Sequence, residues 1–213
     1  MKIKSHFLTL ILGAAVLMGL GACKSQKQPT APSVIPSQPE QTATWQNVEL
    51  PVKIEMMSPK QITLNGRATL VRDKYVLITI KMLFFEVGTI YADPQNVEVV
   101  LNQPSKIWIE QPIAEHFKKL KIDFATLQEA LLGDQTAIDR IPLHDGLGIV
   151  ASGTERRPVV TAAIKTSKRS MEGRLTWMMD QADWNVASPA AFSQPSSGYT
   201  RMTVQQLMQK LGK

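Results

Sequence analysis

"ITLNGRATLVRDKYVLITIKMLFFEVGTIYAD", residues 62–93, decides the fold. Its first part alternates. Ile62, Leu64, Ala68 and Leu70 fall on one side of an extended chain, and Thr63, Asn65, Arg67 and Thr69 on the other. That is the period of a strand with one buried face. Arg72, Asp73 and Lys74 read as a short hairpin turn. The return, "YVLITIKM", puts Val76, Ile78, Ile80 and Met82 on one face. Then the alternation fails. Met82, Leu83, Phe84 and Phe85 are four large apolar residues in succession, which a strand with one wet face does not carry. The run is either core beneath other elements, with Phe85 sharing its parity with Val87, or an apolar turn tip that meets something outside the protein. "VGTIYAD" resumes as a third strand, ended by "DPQN".

Downstream, "VEVVLNQ" and "SKIWIEQ" are two more short strands, joined at Pro104 and Ser105. Five strands with short turns predict an antiparallel meander rather than a βαβ repeat. The middle of the chain is helical. Asp123 is placed to cap "FATLQEALLGD", where Phe124, Leu127 and Leu131 recur at helical spacing and Gly133 provides a stop. "IAEHFKKL" before it reads as a further short helix. β-structure resumes at "RPVVTAAIKT" and "GRLTWMMDQADWNV". At the C-terminus Thr203 and Gln206 form a capping box, and Val204, Leu207, Met208 and Leu211 an apolar stripe. The expected fold is mainly β, of the α+β class, with no internal repeat.

Upstream, three segments precede or begin this fold. Lys2 and Lys4 give a positive start, and "FLTLILGAAVLMGLGA", Phe7 to Ala22, is apolar and uncharged, which is the form of a secretion signal. It ends in "LGAC", Leu20 to Cys23, which resembles the lipobox of bacterial lipoproteins. In that family the cysteine is lipidated and becomes the new N-terminus, so the resemblance marks residues 1–22 as a signal peptide and Cys23 as the lipidation site. Cys23 is the only cysteine, so no intramolecular disulfide is possible. Residues 24–44 hold Pro29, Pro32, Pro36 and Pro39 among Gln, Ser and Thr. With Cys23 they read as a disordered, partly polyproline tether (23–44). One folded domain is expected over 45–213. Lys24, rather than Asp, follows the cysteine, and the sorting rule of Gram-negative lipoproteins then implies the periplasmic face of the outer membrane.

Twenty-four basic and eighteen acidic residues give the whole chain +6. Without residues 1–22, which carry Lys2 and Lys4 and no acid, 22 against 18 leaves +4. This suits weak attraction to an anionic surface and excludes a nucleic-acid binder, since "HFKKLK" and "TSKRS" are too short to form a basic face. No catalytic constellation stands out. His116 and His144 have no second ligand at metal spacing. In "PLHDGLG", His144 and Asp145 are neighbours whose side chains diverge on a strand, and Asp-Gly is an ordinary turn signal. "ASGTE" is no nucleophile elbow. No enzyme activity and no cofactor are expected. Trp45, Trp108, Trp177 and Trp184 read singly as packing. Together with Met82, Met178, Met179 and Met208 they also suit an apolar groove, because methionine adapts to varied apolar ligands.

The order of these parts, from "TWQNVELPVKIEM" through residues 64–93, "VEVVLNQPSKIWIEQ" and "KIDFATLQEALLGDQ" to "SSGYTRMTVQQLMQKL", resembles a domain-of-unknown-function family of Gram-negative lipoproteins in the LolA/LolB superfamily. The resemblance implies a strongly curved antiparallel half-barrel with helices closing its concave face. It implies an apolar cavity for acyl chains or lipoprotein cargo, handed over by a LolA-like carrier, and a monomer on the membrane through its anchor. Ile78, Ile80, Met82, Trp108 and Trp177 would line that cavity. Leu83, Phe84 and Phe85 would form the protruding membrane-contact loop. Relatives usually carry Gly before the acidic residue at this turn, whereas here Phe85 precedes Glu86. The reading from another class is an anchored, non-catalytic interaction module of the cell envelope, and a third is a periplasmic hydrolase.

Overall fold

The computed structural model describes residues 45–57, 61–103, 105–142, 147–165, 170–203 and 206. The signal-like segment, Cys23, the tether, Pro104, His144, Asp145 and the C-terminal stripe of Val204, Leu207, Met208 and Leu211 lie outside these residues.

The strand elements are β1 (Asn47–Met56), β2 (Ile62–Val71), β3 (Tyr75–Met82), β4 (Phe85–Ala92), β5 (Asn96–Leu101) and β6 (Ile107–Pro112). Three short helices follow, α1 (Ala114–Leu120), α2 (Phe124–Leu131) and α3 (Gln135–Arg140). Then come β7 (Leu147–Thr154), β8 (Arg157–Lys165), β9 (Ser170–Trp177), β10 (Asp183–Trp184) and β11 (Thr200–Met202). All eleven strands join one sheet in the order β11-β6-β5-β4-β3-β2-β1-β9-β8-β7, with β10 also on β1. The pairings are antiparallel except β11 on β6, which is parallel. The order does not close, so the sheet is open and mostly antiparallel.

The expected meander is present, and β1 extends it. Val48, Leu50, Val52, Ile54 and Met56 alternate strictly into the core. Pro51 argues against a central strand, because proline cannot donate to a ladder. It is tolerated because it falls between two partners on one side of β1: β10 pairs at Val48 and Glu49, and β9 begins at Val52. Small residues in "LGIVASGT" hide β7, which pairs with β8 along its whole length. "GRLTWMMDQADWNV" is not one strand. β9 ends at Trp177, a single 3-10 turn (Met179–Gln181) follows, and β10 has two residues.

One face of the sheet carries the core. Val76, Ile78, Ile80, Ile90, Val99, Leu101, Ile109 and Trp177 belong to a single buried cluster with Phe124 and Leu132 of the helical segment. As expected, Asp123 caps α2, its Oδ1 accepting from Thr126 N at 2.7 Å. Gly133, at φ +93°, follows the helix in the left-handed conformation that favours glycine. The most buried polar group of α2 is Gln128. Its Nε2 donates to the carbonyls of Val71 (2.8 Å) and Tyr75 (3.0 Å), and its Oε1 accepts from Asp73 N at 2.9 Å. One side chain thus closes the backbone of the β2–β3 turn.

Part of the second face is covered by the chain itself. After β10, residues 185–199 cross it as a strap. Asn185 N donates to Asn47 O at 2.9 Å. Ala190 N donates to Glu49 Oε1 at 2.7 Å, and its carbonyl accepts from Tyr75 Oη at 2.7 Å. Phe192 stacks on Tyr91 with centroids 4.5 Å apart. Tyr199 leads into β11 at the far edge. This explains why Val76, Leu77 and Ile78 are all buried, in a strand that sequence would give one wet face.

Candidate functional site

The site that geometry singles out is the β3–β4 turn. Met82 pairs with Phe85, so Leu83 and Phe84 form a two-residue loop. Only the first of them has positive φ, +57° at Leu83, which is the pattern of a II′ turn, where glycine is usual. A branched residue there costs about 1–2 kcal/mol. All four side chains are open to solvent: Met82 is 52% exposed, Leu83 86%, Phe84 94% and Phe85 71%.

The hairpin leaves the sheet before its tip: its pairing with both neighbours ends, although β2 itself runs on to Ile62 on β1. β2 pairs with β3 only as far as Asn65↔Lys81, and β5 pairs with β4 only from Gly88. A β-bulge lies at its base. Ile80 faces Gly88 but Lys81 faces Glu86, which leaves Val87 as an extra residue. Bulges bend and twist a strand and re-aim the side chains beyond them. Val87 is 1% exposed and lies in the core cluster. Of the two readings left open for Phe85, core by its parity with Val87 does not hold: Phe85 is 71% exposed and lies with Leu83 and Phe84 at the tip.

Two further readings need correction. Met82 does not line an interior with Ile78 and Ile80. It lies beyond the last β2–β3 pair, Asn65↔Lys81, and is half exposed. Trp108 does not share a face with those residues either. Its neighbours Ile107 and Ile109 point into the core cluster, so Trp108 points to the second face. There its Nε1 donates to Glu98 Oε2 at 2.9 Å, and the Arg201 guanidinium stacks 3.9 Å from its ring. Burial pushes the Glu98 carboxyl up, partly offset by the Trp108 hydrogen bond, while Glu110 and Asp93 push it further up and Arg201 pulls it down. Tyr91 is pushed up to about 12, first by burial and then by the Asp93 charge beside it.

Ile78, Ile80 and Trp177 do meet in one cluster, packed by the sheet and by residues of the helical segment. Trp177 is fully buried and its Nε1 has no hydrogen-bond partner among the described residues. The four tryptophans do not converge on a groove. Trp45 and Trp184 meet edge to face at 6.3 Å, Trp177 is fully buried in the core cluster, and Trp108 points to the second face. His116 sits on α1, and among the described residues no cluster of His, Cys, Asp or Glu forms a metal site.

Sequence reading missed the residues that hold the tip. Glu86 Oε1 accepts from Thr89 Oγ1 at 2.9 Å and from Asn102 Nδ2 at 3.3 Å. Asn102 N donates to the bulge carbonyl of Val87 at 3.0 Å. Tyr199 Oη donates to Asn102 Oδ1 at 2.6 Å, across 97 residues of sequence. No local signal announces such a contact.

No family model and no curated protein matches this chain. Among solved structures it is similar to an SsgA-like sporulation-specific cell division protein from Thermobifida fusca YX-ER1. The identity is 10% over 62% of this chain and 72% of that one, with a TM-score of 0.27. It is also similar to SsgB of Streptomyces coelicolor, at 13% identity over 70% and 85%, TM-score 0.26. A third is the LolA superfamily protein NE2245 from Nitrosomonas europaea, at 8% identity over 71% and 88%, TM-score 0.26. Likenesses this distant decide neither family nor role.

Proposed function

We propose that this chain is a lipid-anchored, periplasm-facing lipoprotein of the LolB kind. Its open sheet would be a half-barrel that takes acyl chains or lipoprotein cargo and aids their transfer into the outer membrane. Cys23 would carry the anchor and residues 24–44 the tether. A LolA-like carrier would be its partner, and no cofactor or bond chemistry is involved. The observation that carries the reading is the protruding turn, with Leu83, Phe84 and Phe85 all exposed. Three large apolar side chains in water are unfavourable, and moving one into a bilayer is worth about 1.5–3 kcal/mol. Acyl chains would enter the interior only if the helical segment shifts, since Ile80 and Trp177 are fully buried as they stand.

The test uses the full chain, with phospholipid vesicles and a fluorescent acylated peptide as cargo. Leu83→Glu is expected to fold as the parent does and to lose transfer of cargo into vesicles. Unchanged transfer by this variant, or no transfer by the parent, removes the reading. The closed interior favours a second reading, an anchored interaction module without cargo. It predicts no lipid co-purifying with the chain from membranes, which mass spectrometry decides.

A further inference from the structure

The geometry points to Tyr199 and Asn102 as positioning residues that set the aim of the apolar tip from the far, C-terminal end of the chain. The connection is a directional relay of hydrogen bonds. The Tyr199 hydroxyl donates to Asn102 Oδ1 at 2.6 Å. The opposite end of the same amide, Nδ2, donates to Glu86 Oε1 at 3.3 Å, and the Asn102 backbone N–H donates to Val87 O at 3.0 Å. Asn102 therefore grips both Glu86, next to the tip, and the extra residue of the bulge that bends the hairpin. Thr89 fixes the same Glu86 oxygen from the other side at 2.9 Å.

Tyr199 is itself held by the strap and by β11. Thr200 N donates to Lys106 O at 3.0 Å, the Lys106 ammonium stands 5.7 Å from the Tyr199 ring, and β11 pairs with β6 over only three residues. The three-residue parallel pairing is short, and Arg201 on Trp108 and Met202 in the core cluster reinforce it, so this end of the strap is released only when those contacts open with it. Release would free Asn102 from its shortest hydrogen bond, so its amide would no longer be oriented toward Glu86 from the C-terminal side. The position of β11 on β6 thus controls whether the tip is held in one direction or swings. For the proposed function this makes the C-terminal strand a regulator of tip insertion, and that part of the inference rests on the membrane reading.

The experiment uses the full chain with Tyr199→Phe, which removes one hydroxyl and keeps the ring. Hydrogen–deuterium exchange is followed in peptides covering residues 80–90 and 47–56. The expected result is a roughly two- to twelvefold faster exchange at 83–88, the range that one net hydrogen bond spans, with β1 unchanged. Asn102→Ala should give the same acceleration, and the double variant no more than either alone, because the two residues act in series. An unchanged tip in Tyr199→Phe overturns the relay, as does equal acceleration in β1. Vesicle transfer measured on the same samples separates the two ideas. If the parent transfers no cargo, the membrane reading fails while the exchange result still decides the relay.

Discussion

The two ends of β3 carry two hairpins built on opposite principles. At one end, Arg72, Asp73 and Lys74 make a polar turn whose backbone groups are bonded by buried Gln128 and flanked by the Arg72–Glu129 ion pair at 2.9 Å. At the other, Leu83 and Phe84 make an apolar turn with strained backbone and uncovered side chains. The polar turn is tied to the core through a helix. The apolar turn projects past the sheet and is steadied only at its base. A protein selected for stability alone would place these residues the other way round. Both turns hold one residue at positive φ, Asp73 at +59° and Leu83 at +57°, but aspartate tolerates that region and leucine does not, so strain with exposure at the apolar end is the pattern expected where function constrains sequence.

The comparison breaks most readily at the polar end. Gln128→Met keeps the length of the side chain and removes its donors and acceptor. It leaves Tyr75 O and Asp73 N, both only partly buried, without that partner beneath α2, and each such group costs up to about 1–3 kcal/mol. The expected loss is about 2.5 kcal/mol in urea unfolding, with an unchanged dependence on denaturant. A loss below about 0.5 kcal/mol would mean that water replaces the glutamine and that the two turns are held alike.

Asp123 is a milder lever on the same end, because it caps the helix that brings Gln128 into place. Hydrogen bonds from the side chain and backbone of Thr126 hold its carboxyl below the ordinary range. A depressed folded-state value contributes stability that is present above the unfolded value and lost as pH falls through the folded one. Asp123→Ala should cost about 1 kcal/mol at neutral pH. It should also flatten the acid limb of the stability curve below about pH 4. Exchange at 83–88 should not respond. An acid-sensitive tip would show that the two hairpins are coupled through the core rather than independent.

Much of this architecture is legible because it is local. Alternation marks β2 and β3, Asp123 announces its own cap, and the break at Met82 marks the tip. The rest is decided at a distance. β1 alternates as well as any strand, yet Pro51 is acceptable only because two different strands share that edge. Trp108 has the composition of a cavity residue, and its side is fixed by register with β5 and by the arrival of Arg201 from the C-terminus. Val76, Leu77 and Ile78 are buried together because the strap covers this part of the second face. The relay from Tyr199 to Glu86 joins segments far apart in sequence and depends on where the chain returns after β10. Periodicity carries no such information.

The smallest expected change in stability is the one that distinguishes strain from packing at the tip. Leu83→Gly removes the side chain that disfavours φ +57°, a relief of about 1–2 kcal/mol. It also makes the unfolded chain more flexible, which takes back about 0.4–1 kcal/mol. The net expectation is a gain of about 0.5 kcal/mol, since Leu83 at 86% exposure has almost no packing to lose. Vesicle transfer should fall at the same time, because one of three apolar side chains is gone. A more stable and less active variant is what a functional strain requires. If Leu83→Gly is instead less stable than the parent, Leu83 contributes packing, and the apolar hairpin is not the strained counterpart of the polar one.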